Sequence, residues 1–139
     1  MAPQTQKALV VKTAHEPYEF RTDWPVPSPG PKDVVVKLVT VALNPADWLI
    51  PLHAPPFITY PFVGGIDGAG IVEELGAEVT NLAKGDKVYV LYTPASSLPK
   101  RLMLVSSLVM GSFSTTQATF QEYSIIPAES ATKVQRLSS

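Results

Sequence analysis

Apolar positions in this chain fall into short runs rich in Val, Ile, Leu and Tyr, punctuated by proline and glycine, a pattern that predicts strands and turns. Lys7–Thr13 (KALVVKT) reads as a first strand. Tyr18–Trp24, where Tyr18, Phe20 and Arg21 alternate around Glu19, reads as its antiparallel partner across a turn at Ala14-His15-Glu16-Pro17. Pro25, Pro27, Pro29 and Pro31 then make a stiff extended connection, because proline fixes φ and cannot donate to a ladder. From Asp33 the run VVVKLVTVAL predicts a long central strand bent near Thr40. Asn44-Pro45-Ala46-Asp47 carries the residue types of a helix start: a capping side chain, a first-turn proline and an acidic group near the positive dipole end. Pro51 is expected to limit that helix to about two turns, and Leu52–Pro61 reads as a proline-rich loop.

The stretch from Tyr60 to Leu75, YPFVGGIDGAGIVEEL, is the most informative local signal. Gly64, Gly65, Gly68 and Gly70 crowd together at a cost in backbone entropy, so some need positive φ or close backbone approach. The spacing Gly65-Ile66-Asp67-Gly68-Ala69-Gly70 is not the G-x-G-x-x-G of a dinucleotide fingerprint, and Ile71–Leu75 is too short for a phosphate-binding helix. The segment therefore reads as a structural turn through Gly65, Asp67, Gly68 and Gly70 that feeds a strand. Ala77–Asp86 looks like a pair of turns, Lys87–Tyr92 the next strand and Thr119–Ile126 a closing strand. Pro127–Ser130 can open one helical turn before a polar tail. Between them, Leu102–Met110 (LMLVSSLVM) is apolar but too short to span a bilayer.

The chain's 139 residues fit one domain, 1–139, with a real core. Its 14 prolines and 8 glycines, spread along the chain, suit a mainly β domain. A formal net charge of −1 gives no basic footprint for nucleic acid. The absence of cysteine excludes disulfides and thiolate zinc sites, and an N-terminus without an apolar signal makes the cytoplasm the expected location.

In combination, PVPSPGPKDVVVKLVTVALNPADW, YPFVGGIDGAGIVEELGAEVTNLAKGDKVYV and ATFQEYSIIPAE resemble the N-terminal GroES-like domain of medium-chain dehydrogenase/reductases. Zinc-independent quinone oxidoreductases and enoyl reductases acting in trans with polyketide synthases are the nearest likeness. The resemblance covers nearly the whole chain apart from an atypical segment, Thr93–Thr116. It implies a partly open β-barrel with one or two short helices. It also implies hydride transfer from NADPH to an activated double bond, an enone or a quinone, with the Asn44–Trp48 turn as one wall of the cleft. Zinc enzymes of the family place cysteine where Asn44 stands and a His-Glu pair at Ile66-Asp67, so the resemblance implies no zinc. Enoyl reductases of the family carry a lysine where this chain has Leu49. Nothing in Thr93–Ser139 reads as the strand, glycine loop and helix of a cofactor-gripping Rossmann domain. The expectation is half an active site, with no tightly bound cofactor and no activity alone; the alternative is a non-catalytic binding or interaction module whose former domain interface and Leu102–Met110 segment contact a partner, and the uncovered apolar face predicts self-association.

Asn44, Asp47 and Trp48 are the cleft candidates. Asn44 also suits a plain N-cap, Asp47 a helix dipole partner, and Trp48 either core or pocket wall. Asp67 could act as an acid or a ligand, but an aspartate in a glycine turn more often bonds neighbouring amides, the preferred reading. His15 and His53 read as solvated loop residues. Catalytic residues are otherwise unassigned.

Overall fold

The computed structural model describes residues 2–56, 58–91 and 116–134. The strands are β1 (Thr5–Val11), β2 (Glu19–Pro25), β3 (Asp33–Val41), β4 (Phe62–Val63), β5 (Asp67–Leu75), β6 (Lys87–Leu91), β7 (Tyr123–Pro127) and β8 (Ala131–Lys133), with α1 (Pro45–His53) between β3 and β4. A three-stranded sheet runs β2-β1-β4 and a five-stranded sheet β7-β3-β5-β6-β8, with every pairing antiparallel. The β1–β2 hairpin and the central place of β3 match the sequence pattern. The bend expected near Thr40 is an irregularity between Leu38 and Thr40 in the β3–β5 ladder.

Two buried glutamines join the sheets. Gln6 donates to Gln121 Oε1 at 3.1 Å and to the Pro25 carbonyl at 3.0 Å, and its own oxygen accepts from the Tyr123 amide at 2.6 Å. Gln121 donates to the Ala118 carbonyl at 2.7 Å. Buried amides are tolerated when partnered in this way. Main-chain bonds from Leu9 to Phe120 and from Glu122 to Lys7 extend the seam and curl the sheets into a partly open barrel.

Inside the larger sheet, Val34, Val36, Val72, Val88, Val90 and Ile126 form the main core. Each buried valine contributes about 1.5–3 kcal/mol. Gly70 belongs to this packing, since a Cβ there would lie 2.7 Å from Val36 Cγ1. A second cluster of Val11, Ile50, Ile58, Phe62 and Ile66 seats α1 against the smaller sheet.

Three expectations are corrected. Pro51 does not stop α1, which runs on to His53, so the following loop begins later than Leu52. Proline lacks an N–H and leaves the carbonyl four residues back without its helical donor. That carbonyl belongs to Asp47, and Tyr18 donates its hydroxyl to it at 2.9 Å. Pro127–Ser130 is a turn rather than a helix, closed by Ser130 N–H to Pro127 O at 2.9 Å, and it delivers an eighth strand onto β6. The closing strand is shorter than expected, with only an isolated bridge from Gln121 to Ala8 before β7. Tyr92, the end of the polar tail and residues 93–115 of the atypical segment lie outside the described residues. Among the described residues no helix is long and apolar enough to cross a membrane.

Tyr18→Phe is expected to lower stability by about 1–2 kcal/mol, because the Asp47 carbonyl loses its donor. In a Pro51→Ala background, where residue 51 regains an N–H, that loss should shrink, as read from urea midpoints. An equal loss in both backgrounds would show that the hydroxyl does not stand in for the missing amide.

Candidate functional site

β3 delivers the chain to Asn44, which occupies the N-cap of α1 with extended backbone (φ −121°, ψ 152°). Asp47 reaches back to accept the Asn44 N–H at 2.7 Å, the short half of a capping box. The Asp47 amide bonds the Asn44 carbonyl oxygen at 3.0 Å. Asn44 Nδ2 turns outward and donates to Asp67 Oδ1 at 3.0 Å. The other carboxylate oxygen of Asp67 accepts from the Tyr89 hydroxyl at 3.3 Å. The Asp67 carbonyl takes the Thr119 hydroxyl at 3.1 Å and the Ala42 amide at 3.2 Å.

Strand periodicity explains this convergence. Asp67, Ala69 and Ile71 alternate with Gly68, Gly70 and Val72 along β5, and the second set is buried. Register pairs Ala69 with Tyr89, which puts the tyrosine diagonal to Asp67 on the same face. Upstream, Gly65 turns the chain with φ 92°, and a Cβ there would come within 2.8 Å of the Phe120 amide nitrogen. The turn ends before Asp67, so Asp67, Gly68 and Gly70 lie within β5. Ile66, 2% exposed, packs into the cluster beneath α1.

Burial dominates the electrostatics. Asp47 is 6% exposed, and desolvation holds its carboxyl above the usual carboxylate range. The Asn44 and Gly65 amides oppose the shift and the Asp67 charge adds to it. Asp47 Oδ1 has no hydrogen-bond partner among the described residues. Tyr18 is raised by burial and then by Asp47, and Tyr89 by burial and then by Asp67.

Asn44, Asp47 and Asp67 therefore meet, whereas Trp48 does not. It is 60% exposed on another side of α1. Asp67 bonds two side chains, not the neighbouring amides expected of a turn aspartate. Tyr89 and Thr119 escaped the sequence reading. Alternation in KVYVL marks Tyr89 as outward-facing, but only the strand register shows what it meets.

Residues 30–136 match the alcohol dehydrogenase GroES-like domain family. The chain belongs to that family. This GroES-like domain is 33% identical over 104 residues to the trans-enoyl reductase tazE of Aspergillus terreus, covering 74% of this chain and 31% of the relative. It is 39% identical over 70 residues to the chloroplastic quinone-oxidoreductase QR1 of Triphysaria versicolor, covering 48% and 21%. A thermostable alcohol dehydrogenase from Pyrobaculum aerophilum superimposes with a TM-score of 0.79 at 25% identity over 96% of this chain and 42% of that one. The domain thus spans less than a third of the length of these curated relatives.

Because the folded Asp47 pKa is raised, the protonated form is favoured in the fold. Its contribution to stability falls as pH rises from the ordinary carboxylate value through the raised one. Asp47→Asn should gain on the parent between pH 4 and pH 7 in denaturant midpoints. A variant that instead loses ground as pH rises would mean that the amide bonds outweigh burial.

Proposed function

We propose that this GroES-like domain is the substrate-side half of an NADPH-dependent, zinc-independent reductase of activated alkenes or quinones, inactive by itself. The observation that carries this reading is the Asn44–Asp67–Tyr89 network. Two of its members, Asn44 and Asp67, stand with Ile66 at the positions where zinc enzymes of the resemblance have cysteine and a His-Glu pair. Zinc there needs thiolate, imidazole or carboxylate donors on a tetrahedron. Asn44 offers an amide, Ile66 is aliphatic and core-packed, and Asp67 already accepts from two side chains. Among the described residues no three His, Cys, Asp or Glu side chains gather as a metal site. The residues do not fit zinc, and no step is assigned to it.

Among the described residues, the glycine stretch is not built as a dinucleotide cradle. The glycine stretch opens a strand, so it lacks the helix N-terminus on which a pyrophosphate sits. What these residues supply is one wall. Asp67 orients the Asn44 amide, which carries two N–H donors, and the positive end of α1 lies beside it; both favour a substrate oxygen that gains negative charge, against the opposing charge of Asp67. The sequence likeness to enoyl and quinone reductases supports the choice of substrate class.

A second reading, a non-catalytic module that pairs with its own copy, draws on the exposed apolar side chains of the outer sheet face. Val39 on β3 is 72% exposed and lines one depression with Ile71 and Val134, and Leu43, beyond the end of β3, is 85% exposed. Patches of this kind mark contact surfaces. Sedimentation at micromolar concentration should reveal dimers or larger species that Val39→Lys disperses; a monodisperse parent monomer would remove this reading.

For the main reading, NADPH titrated into the chain alone should give neither tight binding nor turnover of an enone or quinone. A fusion with the remaining length of the Triphysaria relative should reduce one of them, and Asn44→Ala should cut its kcat about tenfold or more. Turnover by the chain alone, or an active fusion indifferent to Asn44, would refute it. Zinc added and then dialysed away should leave no stoichiometric metal.

A further inference from the structure

On another side of α1 lies a depression of ≈ 340 Å³ that the proposed cleft does not use. Trp48 and Leu52, one helical turn apart, line it together with the rings of Pro17, Pro51 and Tyr18. Its floor is fixed. The Tyr18 hydroxyl is tied to the Asp47 carbonyl, and its ring stands edge-on to Phe62 and Phe120 at 6.4 and 5.9 Å between centroids. His15 completes the rim in the left-handed region, φ 65°, a costly conformation for a non-glycine residue.

The histidine also has a defined polarity. Its Nδ1 lies 3.0 Å from the Leu52 carbonyl oxygen. A carbonyl can only accept, so in the neutral ring Nδ1 carries the proton and Nε2 is left as an acceptor. A ligand complementary to this place needs a flat apolar body for the Trp48 and Leu52 surfaces and one donor for Nε2. Glu16 at the rim disfavours an anionic ligand. The volume is at the small end for ligand sites and suits a single ring.

We propose that this depression is a binding site for a neutral phenol, its ring packed on Trp48 and Leu52 and its hydroxyl donating to His15 Nε2. The site does not rest on the reductase reading, and its failure would leave that reading untouched. Quinones and aryl ethers, which lack the donor, are discriminated against.

The test titrates 4-methylphenol and 4-methylanisole separately into the isotopically labelled chain while following the Trp48 indole N–H resonance, assigned with Trp48→Phe. The phenol should shift that resonance saturably and bind about fivefold tighter than the ether, the worth of one net hydrogen bond. His15→Gly, which suits the positive φ, should bring the two probes within about twofold of each other while Trp48 still responds. Absence of a saturable shift at Trp48, equal binding of both probes to the parent chain, or a preference that survives His15→Gly would each overturn the proposal.

Discussion

The carboxylate of Asp67 is the constraint on which the candidate site depends. It receives Asn44 from the start of α1 and Tyr89 from β6, while its own carbonyl receives Thr119 and the end of β3. Charged acceptors make stronger hydrogen bonds than neutral ones, so a single side chain holds the helix start against two strands. The role follows from position. As the first residue of β5, just past the Gly65 turn, Asp67 is the earliest outward-facing residue that can reach both neighbours.

A second constraint sets how the helix can lie. Pro51 stays inside α1 because Tyr18, from the start of the β2 arm, supplies the hydrogen bond that proline removes. That bond fixes the helix while Ile50 and Ile66 pack in one cluster below it. Asn44, at the other end, is then presented to Asp67. The capping box leaves Asp47 buried with one oxygen unpartnered among the described residues, a local cost accepted to keep the helix start in place.

Much of the fold was legible because strands announce themselves locally. Alternation and turn residues marked β1, β2, β3, β5 and β6, and Asn44-Pro45-Ala46-Asp47 marked the helix start. What escaped depended on contacts distant in sequence. Tyr18 is 29 positions from Asp47 in the hydrogen bond that rescues Pro51, and no local rule foresees it. Ala131–Lys133 has no strong strand pattern and becomes a strand only because β6 offers an edge. The candidate site was half legible. Asn44 and Asp47 were marked by capping chemistry, and Asp67 by its place among glycines. Its true partners required two registers, that of β5 on β6 for Tyr89 and that of β3 on β5 for Asn44. Trp48, a cleft candidate by its place beside Asp47, points elsewhere because one position on a helix is about a quarter turn or more.

In the proposed reductase the Asn44–Asp67–Tyr89 network faces the substrate. Backbone resonances of the labelled chain, followed during titration with 1,4-naphthoquinone, test it most directly. Shifts centred on Asn44, Asp67 and Tyr89 that weaken in Asp67→Ala are expected. Shifts confined to other surfaces, or none up to the solubility limit of the quinone, would contradict it.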